Sequence, residues 1–314
     1  MKTKIFTSRQ LKEAAQLIKN GELVAFPTET VYGLGVNALA SEAVKKIFSA
    51  KGRPSDNPLI VHIAKKEQLN EFAFVTTEAT KIIQKFWPGP LTIILKNKNI
   101  PKEVTGGLNT VAVRMPKNKI ALKLIELAGV PIAAPSANIS GKPSSTSFEH
   151  VLEDFNGKIA GIIQSHACEI GIESTVIDLT TKTPILLRPG AFSFEELKKA
   201  LPNLTLTSNK KSEKAKSPGM KYKHYSPNAK IILFEKSAIN ELETYKIDLE
   251  KHNKKTITIV PKKTKKFSKE LFNIFRQCDK ENIDVILISS VSEKGIGLAL
   301  MDRIRKAASK IITN

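Results

Sequence analysis

The chain is poor in cysteine, tryptophan and arginine. Its 314 residues include two cysteines, Cys168 and Cys278, far apart in the sequence. That argues against a disulfide framework and a cysteine zinc site, and it fits a reducing, cytoplasmic setting. No apolar run approaches the roughly 18 residues that a membrane span requires. The opening stretch, MKTKIFTSRQLKEAAQ, shows no apolar region of the secretory-signal type. Aromatic residues make up 6%, and no interleaved aromatic and basic platform for stacking bases is visible. There is no Walker A loop, no metal-binding histidine pair and no Ser-His-Asp signature. Neither a covalent nucleophile nor a protein-held metal is therefore expected.

What is present is positive charge. Lysine and arginine total 50 against 30 acidic residues, a net charge of +20, which favours polyanions such as nucleotides or nucleic acid. Seven of these cations are arginines and 43 are lysines. An arginine kept against that bias suggests a need for the planar fork that grips carboxylate or phosphate with two bonds. Arg53, Arg114 and Arg188 each stand in a turn-rich motif. Hydrophobic residues at 41% suffice for a sizeable core.

Apolar runs and amphipathic patterns alternate along the chain, predicting an α/β sheet covered by helices. Helices are expected from a Ser8 cap to Gly21, and over 41–50, 77–86, 119–128 and 194–200. Strands are expected over 23–26, 59–63, 91–95, 110–115, 131–134, 159–163, 175–179 and 185–187. At about residue 205 the composition turns polar and lysine-rich, as in a linker. From Lys230 the alternation restarts, with strands near 231–234, 257–260 and 285–289 and helices near 266–279 and 298–310. The division predicted is a catalytic domain at 1–204, a linker at 205–229 and a small doubly wound α/β domain at 230–314. The small domain lacks a Gly-x-Gly-x-x-Gly fingerprint, so nucleotide binding is not expected there.

Six short stretches carry the chemistry. Phe26 to Gly35 reads FPTETVYGLG: hydroxyls, a carboxylate and glycines at a strand's end, suited to a ligand crevice. Lys51 to His62 reads KGRPSDNPLIVH, where Lys51 and Arg53 can neutralise phosphate and Asn57 can hydrogen-bond a nucleotide. His62 falls on a strand, where it is either a satisfied core residue or a ligand. Arg114 interrupts the apolar strand TVAVRMP, and a buried arginine needs an anionic partner. That partner is an internal carboxylate, Glu29 or Glu173, or a substrate carboxylate. APSANISGKPS, from Ala134 to Ser144, is a loop of small groups that lets backbone approach a ligand closely. GIESTV around Ser174 and LRPG around Arg188 complete the set. Cations, hydroxyls and amides without a nucleophile suit positioning and charge neutralisation in nucleotidyl transfer.

Taken together, FPTETVYGLG, KGRPSDNPLIVHI, WPGPLTIIL, TVAVRMP, APSANISGKPS, STVIDL, LRPGA and SPGMKYKHYSP resemble the YrdC-like family of threonylcarbamoyl-AMP synthases. The resemblance is to the long, two-domain form; GLALMDRIRKAA looks like its closing helix. It implies a twisted mixed sheet enclosing a basic cavity. It implies synthesis of threonylcarbamoyl-adenylate and pyrophosphate from L-threonine, bicarbonate or CO2, and ATP. Mg2+ would ride on the ATP phosphates. The product would serve a downstream transferase complex that modifies tRNA to N6-threonylcarbamoyladenosine. Residue by residue, the resemblance implies L-threonine at Thr30, His62, Arg114, the backbone at Ala134, and Ser174. It implies ATP at Lys51, Arg53, Asn57, Thr110, Ser136, Asn138, Ser144, Arg188 and Tyr225, with Lys51 and Arg53 as the catalytic cations. Tyr225 in the linker implies a lid over the cavity. Ser145 and Lys223 depart from the family pattern, which more often has proline and arginine there. A competing reading, from the net charge, is a double-stranded RNA or tRNA binder without adenylation activity.

Overall fold

The structure is a computed structural model in which residues 2–207 and 225–313 are described. Local signals place most elements where the sequence predicts them. The helix Thr77–Phe86 starts where the Thr76 hydroxyl accepts the Ala79 N–H at 3.2 Å. It buries Ala79, Ile82, Ile83 and Phe86, spaced to share one helical face. The helix Lys119–Ala128 is capped by Asn118 and stopped by Gly129 at φ 67°, a left-handed turn that glycine adopts without strain. The first helix differs from its prediction. It runs Leu11–Lys19 and has no Ser8 cap; Gln10 precedes it, and its side chain instead accepts from the Thr7 N–H.

Twelve strands form one mixed sheet. Across it lie Lys4–Phe6, Gly161–Ile163, Val24–Phe26, Gly33–Asn37, Ile132–Ala134, Ile60–His62, Thr110–Arg114, Leu91–Asn97, Thr175–Asp178, Ile185–Arg188 and Thr205–Leu206. The short strand Ala73–Phe74 pairs beside Leu91–Asn97. The last edge strand corrects the expected start of the linker. Thr205 and Leu206 still belong to the sheet, paired with Ile185 and Leu186. An exposed two-residue edge carries no apolar periodicity to reveal it. The strand Gly33–Asn37 also escaped prediction, because its glycines read as a turn. They are there for space: a Cβ on Gly35 would stand 2.6 Å from the Phe26 ring and 2.7 Å from Ile132. The helix Phe148–Phe155, capped by Ser147, was likewise not anticipated.

Two large clusters of buried residues form the core of this sheet. One includes Leu34, Val61, Ile93 and Val113; the other includes Phe26, Ile125, Ile132 and Ala134. Alternate residues of Val24–Phe26 and Ile132–Ala134 divide between the clusters, as the pleat requires.

A second sheet is all parallel, in the order Thr256–Ile259, Val285–Ser289, Lys230–Phe234, Lys310–Ile312. The chain moves one way from its first strand to its second, and the other way thereafter. Right-handed crossovers then require helices on opposite faces. Leu242 and Tyr245 of the helix Leu242–Lys251 pack with Phe234 and Leu287 on one face. Helices Thr264–Lys280 and Gly297–Ala307 cover Ile286 and Ile288 on the other. This matches the doubly wound prediction. The last helix stops at Ala307, short of the expected 310, and an unpredicted strand Lys310–Ile312 follows it.

The two units are packed together. Val31 and Ile172 of the first share a buried cluster with Phe272 and Leu300 of the second. Arg276 of the second unit meets Asp154 of the first at 2.6 Å, both buried. Among the described residues no helix is long and apolar enough to cross a membrane. The expected lid falls mostly on residues 208–224, including Lys223, outside the described residues.

Candidate active site

A cavity opens where the strands Val24–Phe26, Ile60–His62, Thr110–Arg114 and Ile132–Ala134 end or begin near one another. It is lined by Thr30, Arg53, His62, Arg114, Ala134, Ser136, Asn138, Ser144, Ser174, Arg188 and Tyr225, all expected at a site. Thr28, Lys142 and Glu173 line it as well. Residues scattered over 200 positions are gathered because parallel and antiparallel pairing sets their registers. His62 pairs with Arg114 on one side and Ile132 on the other.

Arg114 has the anionic partner that a buried cation needs. Its Nη2 lies 2.7 Å from Glu29 Oε1, and both side chains are buried. Its Nη1 donates to the Thr30 hydroxyl at 2.8 Å. Thr28 and Thr30 share a hydrogen bond of 2.8 Å, so the turn after Val24–Phe26 is tied to the arginine. Burial alone would raise the Glu29 carboxyl; the adjacent Arg114 cation more than reverses this and holds it below its ordinary value. His62 is buried at the same end. Burial and the Arg114 cation push its pKa down from 6.5 to about 3, so its ring is neutral. Its Nδ1 lies 3.1 Å from the Ile60 carbonyl.

On the opposite wall, Arg188 Nε donates to the Ser174 carbonyl and Nη2 to the Ser174 hydroxyl, both at 3.1 Å. That hydroxyl also meets Thr92 Oγ1 at 2.7 Å. Ser144 donates to Glu173 Oε1 at 2.5 Å. Tyr225 is buried with φ 70°, a backbone state rare for tyrosine, and stacks on Phe272 of the second unit at 5.4 Å. Burial pushes its hydroxyl up to about 12.

Three expected residues do not line the cavity. Lys51 is buried and donates to the carbonyls of Ser136, at 2.7 Å, and Asn138. Burial, then the neighbouring Arg53 cation, lowers its pKa well below the ordinary lysine value. Its ammonium thus braces the 134–144 loop. Asn57 lies under the Arg53 loop, where Arg53 Nη2 donates to the Asn57 and Pro58 carbonyls at 3.4 and 3.2 Å. The Asn57 amide is buried and has no hydrogen-bond partner among the described residues. Thr110 stands half-buried at the far end of its strand from Arg114, paired with Lys96.

The sequence marks Glu29 and Glu173 as candidate internal partners for Arg114. Glu29 takes that place. Glu173 pairs instead with Arg303 of the second unit, at 2.9 Å. Nothing local marks Arg303, because its partner lies 130 positions away.

A cation-lined cavity in a mixed sheet, with a packed parallel second unit, defines a two-unit α/β protein whose cavity suits small anions. The comparisons make this particular. Residues 16–190 match the Sua5, YciO and YrdC family model, described as telomere recombination. Residues 192–309 match the model described as threonylcarbamoyl-AMP synthase, C-terminal domain. The chain is 49% identical to the threonylcarbamoyl-AMP synthase of Pyrococcus abyssi, over 95% of this chain and 94% of that protein. It is 42% identical to the protein of the same name from Bacillus subtilis, over 95% and 93%. The crystal structure of P. abyssi Sua5 complexed with L-threonine superposes with a TM-score of 0.95 at 46% identity, covering 99% of this chain and all of that one. The chain belongs to the Sua5/YrdC family of threonylcarbamoyl-AMP synthases, in its two-domain form.

Proposed function

We infer that this cavity joins L-threonine, bicarbonate and ATP into threonylcarbamoyl-AMP, with release of pyrophosphate. The observation that carries the reading is Arg114: a buried guanidinium between Glu29 and Thr30, at the wall of a cavity also lined by Arg53, Lys142 and Arg188.

L-threonine lies against Thr30, His62, Arg114, the Ala134 backbone and Ser174. Arg114 holds its carboxylate, while the neutral His62 ring adds no charge near the amine. ATP lies against Arg53, Ser136, Asn138, Ser144, Arg188 and Tyr225, with Asn57 offering a buried amide still in need of a partner. Lys51 acts on the nucleotide through the loop it braces, and Arg53 offsets charge on the phosphates. Among the described residues no three His, Cys, Asp or Glu side chains gather as metal donors. Mg2+ enters with the substrate, as MgATP.

The amine of threonine adds to CO2 with loss of a proton, or to bicarbonate with loss of water, and forms N-carboxy-threonine. A carboxylate oxygen of that carbamate attacks the α-phosphorus of ATP, and the bond to the pyrophosphate oxygen breaks. The protein positions the two substrates and neutralises developing charge; no side chain is covalently modified. The product supplies a transferase that modifies tRNA, in the cytoplasm, and the +20 charge suits weak tRNA contact.

The test is direct. Purified protein with L-threonine, bicarbonate and MgATP should yield threonylcarbamoyl-AMP by mass spectrometry, and Arg53→Ala should release pyrophosphate at least about a hundredfold more slowly. An Arg53→Ala protein working at the parent rate would remove Arg53 from the mechanism. RNA binding that tolerates salt, without ATP turnover, would favour the RNA-binding reading instead.

A further inference from the structure

The wall formed by Ser144, Arg188 and Tyr225 is not held by its own domain alone. Ser144 donates to Glu173 Oε1, and Glu173 Oε2 accepts from Arg303 Nε at 2.9 Å. Arg303 belongs to the helix Gly297–Ala307 of the second domain and is 0% exposed. Its Nη1 donates at 2.9 Å to the carbonyl of Pro189, the residue after Arg188. Its guanidinium stands 5.5 Å from the centre of the Tyr225 ring. One side chain of the second domain therefore reaches Ser144 through Glu173, Arg188 through Pro189, and Tyr225 directly. Arg276 grips the same loop from beside it, donating to the Pro143 carbonyl at 2.8 Å and the Ser145 hydroxyl at 3.2 Å.

Adhesion between domains does not call for such an arrangement. Burying an ion pair forfeits hydration, and apolar residues of equal volume hold two surfaces as well or better. What a buried guanidinium supplies is direction, because its donors are fixed in one plane. Another interdomain pair, Lys280 with Glu153 at 3.1 Å, is a partly exposed contact of the ordinary kind.

We propose that Arg303 is a positioning residue for the nucleotide side of the site, and that holding this wall is what the second domain contributes to the reaction. The proposal rests on the reading above that Ser144, Arg188 and Tyr225 face ATP. Arg303 does not itself line the cavity, so it acts through its neighbours.

The test compares the full-length parent with Arg303→Lys, an Arg303→Met/Glu173→Gln double variant and Lys280→Ala. Lysine keeps the charge but lacks the planar fork whose spaced donors reach several acceptors at once. The double variant removes the paired charges together, so the Glu173 carboxylate is not left buried without Arg303. Both Arg303 variants should unfold in one cooperative transition and raise KM for ATP about tenfold or more. Threonine affinity by calorimetry should stay within about twofold of the parent, and Lys280→Ala should move neither quantity. An unchanged ATP KM would overturn the proposal. So would threonine and ATP affinities falling together, as loosened domains would produce. Loss of cooperative folding in both variants would assign Arg303 to the fold and also overturn it. A parent that makes no threonylcarbamoyl-AMP would sink the functional reading alone; ATP dissociation constants of parent and variants would still decide the role of Arg303.

Discussion

Acid should loosen this protein through His62. The ring is buried, in edge contact with Phe26 at 5.9 Å and beside the Arg114 cation. Burial first, and Arg114 second, lower its pKa from 6.5 to about 3. The folded value lies below the unfolded one. Between those two values the unfolded chain binds a proton that the native chain refuses. The contribution is therefore complete above pH 6.5 and is lost as pH falls toward 3. Each pH unit in that window is worth about 1.4 kcal/mol, so at pH 5 the loss through this one ring is about 2 kcal/mol. His150, lowered to about 4 mainly by burial, adds to the acid sensitivity with the same sign. A variant isolates the His62 share, because His150 is unchanged in it. Urea unfolding of the parent and of His62→Gln should be compared at about pH 7.5 and about pH 5. The parent should lose about 2 kcal/mol more than the variant over that interval. Equal losses would refute the reasoning, since His62 would then titrate alike in both states.

Other consequences are as direct. Glu29→Gln should cost about 3–5 kcal/mol in urea unfolding, because it leaves the buried Arg114 cation without its carboxylate. The same change should weaken threonine binding in calorimetry if the Glu29 contact aims the guanidinium. Gly35→Ala should lower stability by about 1–3 kcal/mol, since the new methyl meets Phe26 and Ile132 in the packed sheet; an unchanged melting temperature would show that the ring can move aside. Cys168 is buried, and burial pushes its thiol up to about 12. Cys278 is also buried, with its thiol pushed up to about 11. Neither should react with a thiol reagent in the native state at neutral pH, and both should label on unfolding in denaturant.

Much of the fold is legible in the sequence because its signals are local. The helix over 77–86 and the strand over 285–289 follow from apolar spacing, caps and breakers within a few residues. The strand Gly33–Asn37 is not legible that way. Its glycines answer to the Phe26 ring and to Ile132, and the latter lies nearly a hundred positions away. The edge strand Thr205–Leu206 is hidden for a related reason: an exposed edge needs backbone partners but no apolar pattern.

The site divides in the same way. Scarce arginines, hydroxyl-rich turns and small-residue loops mark Arg53, Arg114, Ser136, Asn138 and Arg188 in the sequence itself. An arginine inside an apolar strand already requires an anion, so the need for a partner at Arg114 was fixed before any fold was known. Which anion answers was not. Tertiary packing chose Glu29 for Arg114 and left Glu173 to Arg303. It also turned Lys51 toward two loop carbonyls, although its motif reads as a phosphate site. Sequence alone states which groups must be paired, because desolvation is a property of the residue. Only the folded chain states with whom, because pairing depends on strand register and on how a second domain is seated.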